Sequence, residues 1–366
     1  MESLKITLRS SLGRTLGVIC MAIALAFFSL PLRAEAALPA GNAIKDGEAL
    51  LRYALPIANE DIRKVQEEVE TIAYSLRGLR WSSAQKNVSN AIRTYSLYNK
   101  RILEAVPAAR QAAAQPLIDD LNTALFSLKE AVGEENGDTT FERRATVLSL
   151  IGQIEALMVE EFPFEVPAEY RELPYLTGRA TVEMSTNQGD LTIVVDGFSA
   201  PITAGNFVDL VDRGFYDGLP ITRAEEFYVV QFGDPAGPET GFVDPDKGNL
   251  RTIPFEVLVQ GDEEPIYEFT LDSLGIYPIE PVLPFSAYGT VGMAYPSGEP
   301  NGGSSQVFFF LYEPELTPAG SNLLDGRYAA FGYVTEGAET LERLRVGDVI
   351  QSATVVSGLD KLVQPS

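Results

Sequence analysis

The sequence of 366 residues has no histidine and a single cysteine, Cys20. Each absence removes a class of chemistry. Without histidine there is no Ser-His-Asp or Cys-His nucleophile system, no imidazole acid–base catalysis and no zinc site of the usual His/Cys kind. Basic residues are also scarce: Lys plus Arg number 28 against 51 Asp plus Glu, a formal net charge of -23. Such a surface repels phosphates and carries no basic stripe, which argues against nucleic acid as a partner. Any reaction must run on arginine, carboxylates, hydroxyls, amides or shape.

Long apolar runs are lacking except at the start. Lys5, Arg9 and Arg14 precede an apolar run from Leu16 to Pro31, and Ala34-Glu35-Ala36 supplies small residues for cleavage. This pattern predicts a secretory signal over residues 1–36, because the run is shorter than the roughly 20 residues that span a bilayer. Cleavage would remove Cys20 and leave an exported protein without thiol, disulfide or stable transmembrane span.

Residues 37–162 are helical in character. Ile62, Val65, Val69, Ile72 and Leu76 recur at helical spacing, followed by Val88, Ala91, Ile92, Tyr95 and Ile102 up to Pro107. Leu117, Leu121, Leu125, Leu128 and Val132 form a third run closed by Gly133. A fourth, with Thr139 or Thr140 as expected N-cap, carries Val147, Ile151, Ile154 and Met158. Four long amphipathic helices with short connections predict an up-down four-helix bundle. Trp81, Tyr95 and Tyr98 read as core rather than a cofactor box. Asp119 and Asp120 have no histidine partners for a di-iron site, so neither cofactor nor metal is expected.

Pro163, Pro167 and Pro174 break the helical period, and residues 163–179 read as a linker. Beyond it Val182, Met184 and Thr186 alternate, then Leu191, Ile193 and Val195, with a turn at Asn187-Gln188-Gly189-Asp190: a β-hairpin. Thr203 is expected to cap a helix bearing Phe207, Leu210 and Val211, and a second helix is expected around Ala338 to Arg345. The order predicts an α + β multidomain chain whose residues 180–362 form a closed or nearly closed antiparallel β-barrel capped by two helices. The acidic, Pro-rich stretch at residues 237–286 reads as an insertion. Within it, Asp244 to Asn249 partly matches a calcium loop but lacks the terminal bidentate Glu.

Three segments carry the chemistry. The first runs from Gly214-Phe215-Tyr216-Asp217-Gly218 through Ile221-Thr222-Arg223 to Phe227-Tyr228-Val229-Val230-Gln231-Phe232-Gly233. The second holds Gly292-Met293-Ala294 and Gly303-Ser304-Ser305-Gln306-Val307-Phe308. The third is Leu323-Leu324-Asp325-Gly326-Arg327-Tyr328-Ala329-Ala330-Phe331-Gly332. In this order and spacing they resemble the cyclophilin family of peptidyl-prolyl isomerases over residues 180–362. Isomerisation about an X-Pro bond faces a barrier of about 20 kcal/mol and needs no proton transfer, so the lack of histidine is no obstacle.

The resemblance implies the roles. Arg223 matches the catalytic arginine and Gln231 the glutamine that positions backbone groups. Tyr228, Val229, Ala294, Phe308, Leu323, Leu324 and Tyr328 match the proline pocket and its surroundings. Taken singly, Arg223 could be a salt-bridged strand arginine, Phe308 barrel core, and Gln231 a buried amide. The chain departs from the family with Leu323 where many members carry tryptophan, Tyr328 for histidine, Tyr228 for phenylalanine and Val229 for methionine. Glu225 and Glu226 also lie beside Arg223. These departures leave open a catalytically weak or inactive assembly chaperone or scaffold.

With its signal and acidic helical half, the chain resembles the large multidomain cyclophilins of the thylakoid lumen and the equivalent compartment of photosynthetic bacteria. The helical half resembles the extrinsic Q-type subunit of photosystem II in architecture only. The implied partners are proline-containing segments of lumenal or periplasmic proteins, photosystem clients among them.

Overall fold

In a computed structural model of the chain, the described residues run from 44 to 365, without residues 246, 277–278 and 313–321. The secretory signal expected at residues 1–36, with Cys20, lies outside the described residues. Asp46 opens helix α1 (Gly47–Ala54) by accepting the Glu48 and Ala49 N–H groups, and Leu55 and Pro56 end it. The long helices follow: α2 (Glu60–Arg77), α3 (Trp81–Glu104), α4 (Ala108–Gly133) and α5 (Gly137–Met158). Their apolar stripes meet in one core, with Val65 and Ile72 of α2, Val88 of α3, Leu121 and Leu128 of α4 and Ile151 of α5 all fully buried. Tyr95 belongs to that core and donates its hydroxyl to the Ile118 carbonyl, and Trp81 packs half-buried against it.

Two helix starts differ from expectation. The cap of α5 is Asn136, whose side chain accepts the Thr139 N–H at 3.1 Å. The Thr140 hydroxyl instead donates to the Asn136 carbonyl at 2.6 Å inside the first turn, so neither threonine is the cap. The short α1 was not expected as a separate element, although Asp46 and Pro56 bracket it with start and stop signals.

The β-rich half is built on β2 (Arg179–Thr186) and β3 (Gly189–Asp196), a hairpin in register from Arg179–Asp196 to Thr186–Gly189 around Asn187-Gln188. Further strands are β4 (Arg223–Glu225), β5 (Val229–Phe232), β8 (Thr290–Met293), β9 (Val307–Phe310), β10 (Ala330–Glu336) and β11 (Ile350–Ser357). They form an eight-stranded antiparallel sheet in the order β11-β2-β3-β10-β8-β9-β5-β4. Its edges are drawn together where Ile221 N–H donates to the Asp348 carbonyl at 2.7 Å and Ile350 N–H to that of Leu219 at 3.0 Å. Helix α6 (Pro201–Asp212) packs inside the curl, and the four-residue α8 (Ala338–Leu341), shorter than expected, lies against β3. The linker is partly structured: β1 (Tyr175–Leu176) pairs with the C-terminal β12 (Leu362–Val363).

Thr203 is not the cap of α6. The helix starts at Pro201 after Ala200, which offers no side-chain cap. Thr203 instead lies inside the first turn, fully buried, and its N–H is taken by the carboxylate of Glu256 at 2.5 Å. Glu256 comes from the stretch at residues 237–286 expected as an insertion, where β6 (Glu256–Val257) and β7 (Ile266–Tyr267) pair and α7 (Leu271–Leu274) follows. Phe255, Val257, Val259 and Leu271 of this segment join the main barrel core. This stretch therefore supplies part of the interior.

Candidate active site

The site is a row of residues across neighbouring strands. Arg223 on β4 is register partner to Gln231 on β5, Gln231 to Phe308 on β9, Phe308 to Gly292 on β8, and Gly292 to Ala330 on β10. Register partners in an antiparallel sheet project from the same face. The alternation of β5 and β9 then explains their unbroken apolar sequence. Val230, Phe232, Val307 and Phe309 join the main core, whereas Val229, Phe308 and Phe310 form a second cluster on the other face.

That second cluster gathers most of the expected pocket. Val229 and Phe308 are each 4% exposed, and Ala294, Leu324 and Tyr328 pack against them. Phe308 makes an edge contact with Tyr328 at 5.5 Å between ring centres. Tyr328 stacks on Tyr295 at 4.6 Å. The Phe308 ring crosses its own sheet over Gly292: a Cβ there would lie 2.4 Å from the ring tip, so only glycine leaves room. Two expected members are more exposed. Tyr228 is 40% exposed and touches Phe310 edge-on at 6.1 Å, and Leu323 is 62% exposed on the rim.

Arg223 stands half-exposed at the edge of this cluster. Its Nε donates to Glu225 Oε1 at 2.7 Å, and its guanidinium lies 5.6 Å from the centre of the Tyr228 ring. The β4–β5 turn holds Phe227 at a φ of 60, a left-handed backbone unusual for a bulky residue, and presents its ring to solvent. Gln231 donates from Nε2 to Gln306 Oε1 at 2.7 Å, while Gln306 Nε2 is held by Asp234 Oδ1 at 3.2 Å and the Thr240 carbonyl at 2.8 Å. That chain fixes the Gln231 amide and leaves its oxygen to accept.

Sequence reasoning missed four contributors. Gln306 orients Gln231, and Phe310 follows Phe308 at the strand period of two, a signal that was present. Gly292 gives the Phe308 ring its room. Phe285 has no local signal at all. It comes from the end of the insertion, stacks on Phe308 at 5.8 Å with rings 8° from parallel, and meets Phe310 edge-on at 5.7 Å.

The sheet thus brings an arginine, an amide and a phenylalanine side by side across three strands. The family model for cyclophilin type peptidyl-prolyl cis-trans isomerases matches residues 181–362, and that for the PsbQ-like domain of CYP38-like peptidyl-prolyl cis-trans isomerases matches residues 46–159. The chain belongs to the cyclophilin-type peptidyl-prolyl cis-trans isomerase family. It is 52% identical to a Synechocystis protein named as the thylakoid lumen peptidyl-prolyl cis-trans isomerase sll0408, over 97% of this chain and 94% of that one. It is 46% identical to the chloroplastic peptidyl-prolyl cis-trans isomerase CYP38 of Arabidopsis thaliana, over 89% of this chain and 77% of that protein. A solved cyclophilin type isomerase of Cryptosporidium parvum is similar over 48% of this chain and 99% of its own, at 24% identity and a TM-score of 0.35.

Proposed function

We propose that Arg223 drives isomerisation of X-Pro bonds in exported, lumenal proteins and that the clients include photosystem subunits during folding or assembly. The observation that carries the reading is the Arg223–Gln231–Phe308 row on three adjacent strands. In it, the apolar cluster around Phe308 holds the proline ring. The free oxygen of Gln231 accepts a substrate backbone N–H and fixes the peptide. The guanidinium of Arg223, permanently charged and forked, donates to the prolyl nitrogen as the amide twists and that nitrogen gains a lone pair. No proton changes hands, so the step itself carries no pH dependence. Lumenal residence is supported by the names of the similar relatives, which place them in the thylakoid lumen or chloroplast. Among the described residues no helix is long and apolar enough to cross a membrane.

In this reading residues 180–362 form the isomerase unit and residues 37–162 a docking unit for clients or complexes. Removing a donor aimed at developing charge costs on the order of 100-fold in rate. The full chain should therefore accelerate proline-peptide isomerisation, and Arg223→Ala should lose roughly that factor; equal rates for the two would refute the mechanism. A second reading has its own observation: Arg223 is already engaged by Glu225 at 2.7 Å. In that reading the pocket docks proline segments without turnover, and Arg223→Ala would still restore assembly in cells lacking the protein.

A further inference from the structure

The loop that carries Leu323, Leu324 and Tyr328 grips the segment around Phe285, and one of its side chains does most of the gripping. Asp325, 3% exposed, accepts the Phe285 N–H on Oδ1 at 2.7 Å and the Asn322 N–H on Oδ2 at 2.8 Å. Asn322, equally buried, returns a bond from Nδ2 to the Phe285 carbonyl at 2.9 Å, and its Oδ1 accepts the Leu324 N–H at 3.0 Å. Both backbone groups of Phe285 are thus held by side chains of the pocket loop. Two outer contacts join the same partners: Leu271 N–H donates to the Gly326 carbonyl at 2.9 Å, and Arg327 pairs with Asp272 at 2.7 Å.

We propose that Asp325 and Phe285 are positioning residues of the isomerase site, a single carboxylate setting both the ring stacked on Phe308 and the loop bearing Leu324 and Tyr328. The proposal rests on the isomerase reading and names the part of the insertion that the site cannot lose. Its geometry is specific. Phe285 is the only ring stacked parallel on Phe308 among the described residues, and its backbone has no sheet partner there to hold it. Without Asp325 two buried N–H groups lose their acceptor, and the stacked ring loses its anchor.

The same carboxylate makes the site sensitive to acid. Burial raises Asp325 to about 6 against the help of its two backbone donors, with Glu280 of the insertion raising it further. The Tyr333 hydroxyl of β10, also facing it, is pushed up and donates to the Pro284 carbonyl. Protonation of Asp325 weakens the grip on Phe285, so substrate affinity falls as pH drops through about 6.

The test uses the full chain, with a proline-containing tetrapeptide assayed for turnover and, by calorimetry, for binding, from pH 5 to 8. Asp325→Asn keeps shape but turns its amide NH2, a donor, toward one of the two N–H groups. One unsatisfied buried donor corresponds to about a tenfold effect, so KM and Kd should rise about tenfold at pH 8 with kcat little changed. The loss of affinity below pH 6 should vanish in that variant. Phe285→Leu, which keeps the side chain apolar but removes the ring, should weaken peptide binding in a protein that still folds. Folded Asp325→Asn with wild-type affinity and a wild-type pH profile would overturn the proposal, as would Phe285→Leu with unchanged affinity. If the wild type binds peptide but shows no Arg223-dependent turnover, the catalytic reading fails and the affinity arm still decides this one. If it neither binds nor turns over, both fall.

Discussion

Arg223 condenses what is particular about this site. Read alone, it could be a salt-bridged strand arginine or a catalytic one, and the structure gives it both surroundings: Glu225 at 2.7 Å and the Gln231–Phe308 row beside it. In the catalytic reading Glu225 competes with substrate for the same donors. Both side chains are about half exposed, and such pairs are worth at most about 1 kcal/mol, which caps the competition at roughly fivefold. Glu225→Gln should raise kcat/KM by about two- to fivefold in a peptide assay. Added salt should raise the wild-type rate toward that of the variant. A fall in rate would mean that the pair orients Arg223 rather than restraining it. Gly292 gives a second test at this scale. A methyl group there would enter the space of the Phe308 ring tip, 2.4 Å away. Displacing a reacting group by about an ångström costs on the order of 100-fold, so Gly292→Ala should lose most turnover in the same assay while remaining folded.

Among the elements, those with strong local period were legible and those stabilised from afar were not. The β2–β3 hairpin and the stripes of α2 to α5 announce themselves by spacing. The start of α6 does not, because its cap is Glu256 from the insertion. Thr203 is a residue type that caps helices, yet Pro201 starts the helix two residues earlier and burial removes the Thr203 hydroxyl from that role. The same holds in the site: Arg223, Gln231 and Phe308 could be read from strand segments, whereas Phe285 reaches Phe308 only through Asp325 and Asn322. Glu256 has a measurable consequence. Burial lifts its carboxyl from 4.5 to about 7, with the backbone N–H groups of Thr203 and Ile202 opposing the shift. The native state thus holds this proton more tightly than the unfolded chain. The stability from the protonated form is complete below pH 4.5 and is lost as pH rises through about 7. The full loss is about 3 kcal/mol, an order-of-magnitude figure. Glu256→Gln, neutral at every pH, should flatten that stretch of the stability curve in chemical denaturation from pH 4.5 to 7.5. A variant that keeps the wild-type slope would assign it to other carboxyls.

For the whole molecule, the decisive element is the one with the weakest sequence signal. Helix α1 has eight residues, and apart from Ile44 just ahead of it, Leu50 and Leu51 are buried against distant parts of the chain. Its partners are Tyr333 of β10 with Leu283 and Ala287 of the segment entering β8, so it packs against the barrel. Polar contacts follow the same route. Arg63 of α2 binds Glu155 of α5 at 3.1 Å and donates to the carbonyls of Arg52 and Leu55 around α1. Arg179 of β2 donates to the Leu51 carbonyl and pairs with Asp196 at 2.6 Å. The Ser286 hydroxyl, next to Phe285, donates to the carbonyl of Ile44 at 2.7 Å. One short helix therefore ties the four long helices to the sheet at the very segment that carries Phe285. Leu50, 2% exposed, is the place to test this. Truncation of a buried leucine costs about 2–5 kcal/mol through lost burial and the cavity left behind. If α1 couples the two halves, Leu50→Ala should split a single calorimetric unfolding transition into two, the helical and β-rich parts melting separately. It should also weaken proline-peptide binding, through Leu283 and Ser286, without touching Arg223. One lowered transition with unchanged peptide affinity would mean that α1 stabilises the fold but does not link the helices to the site.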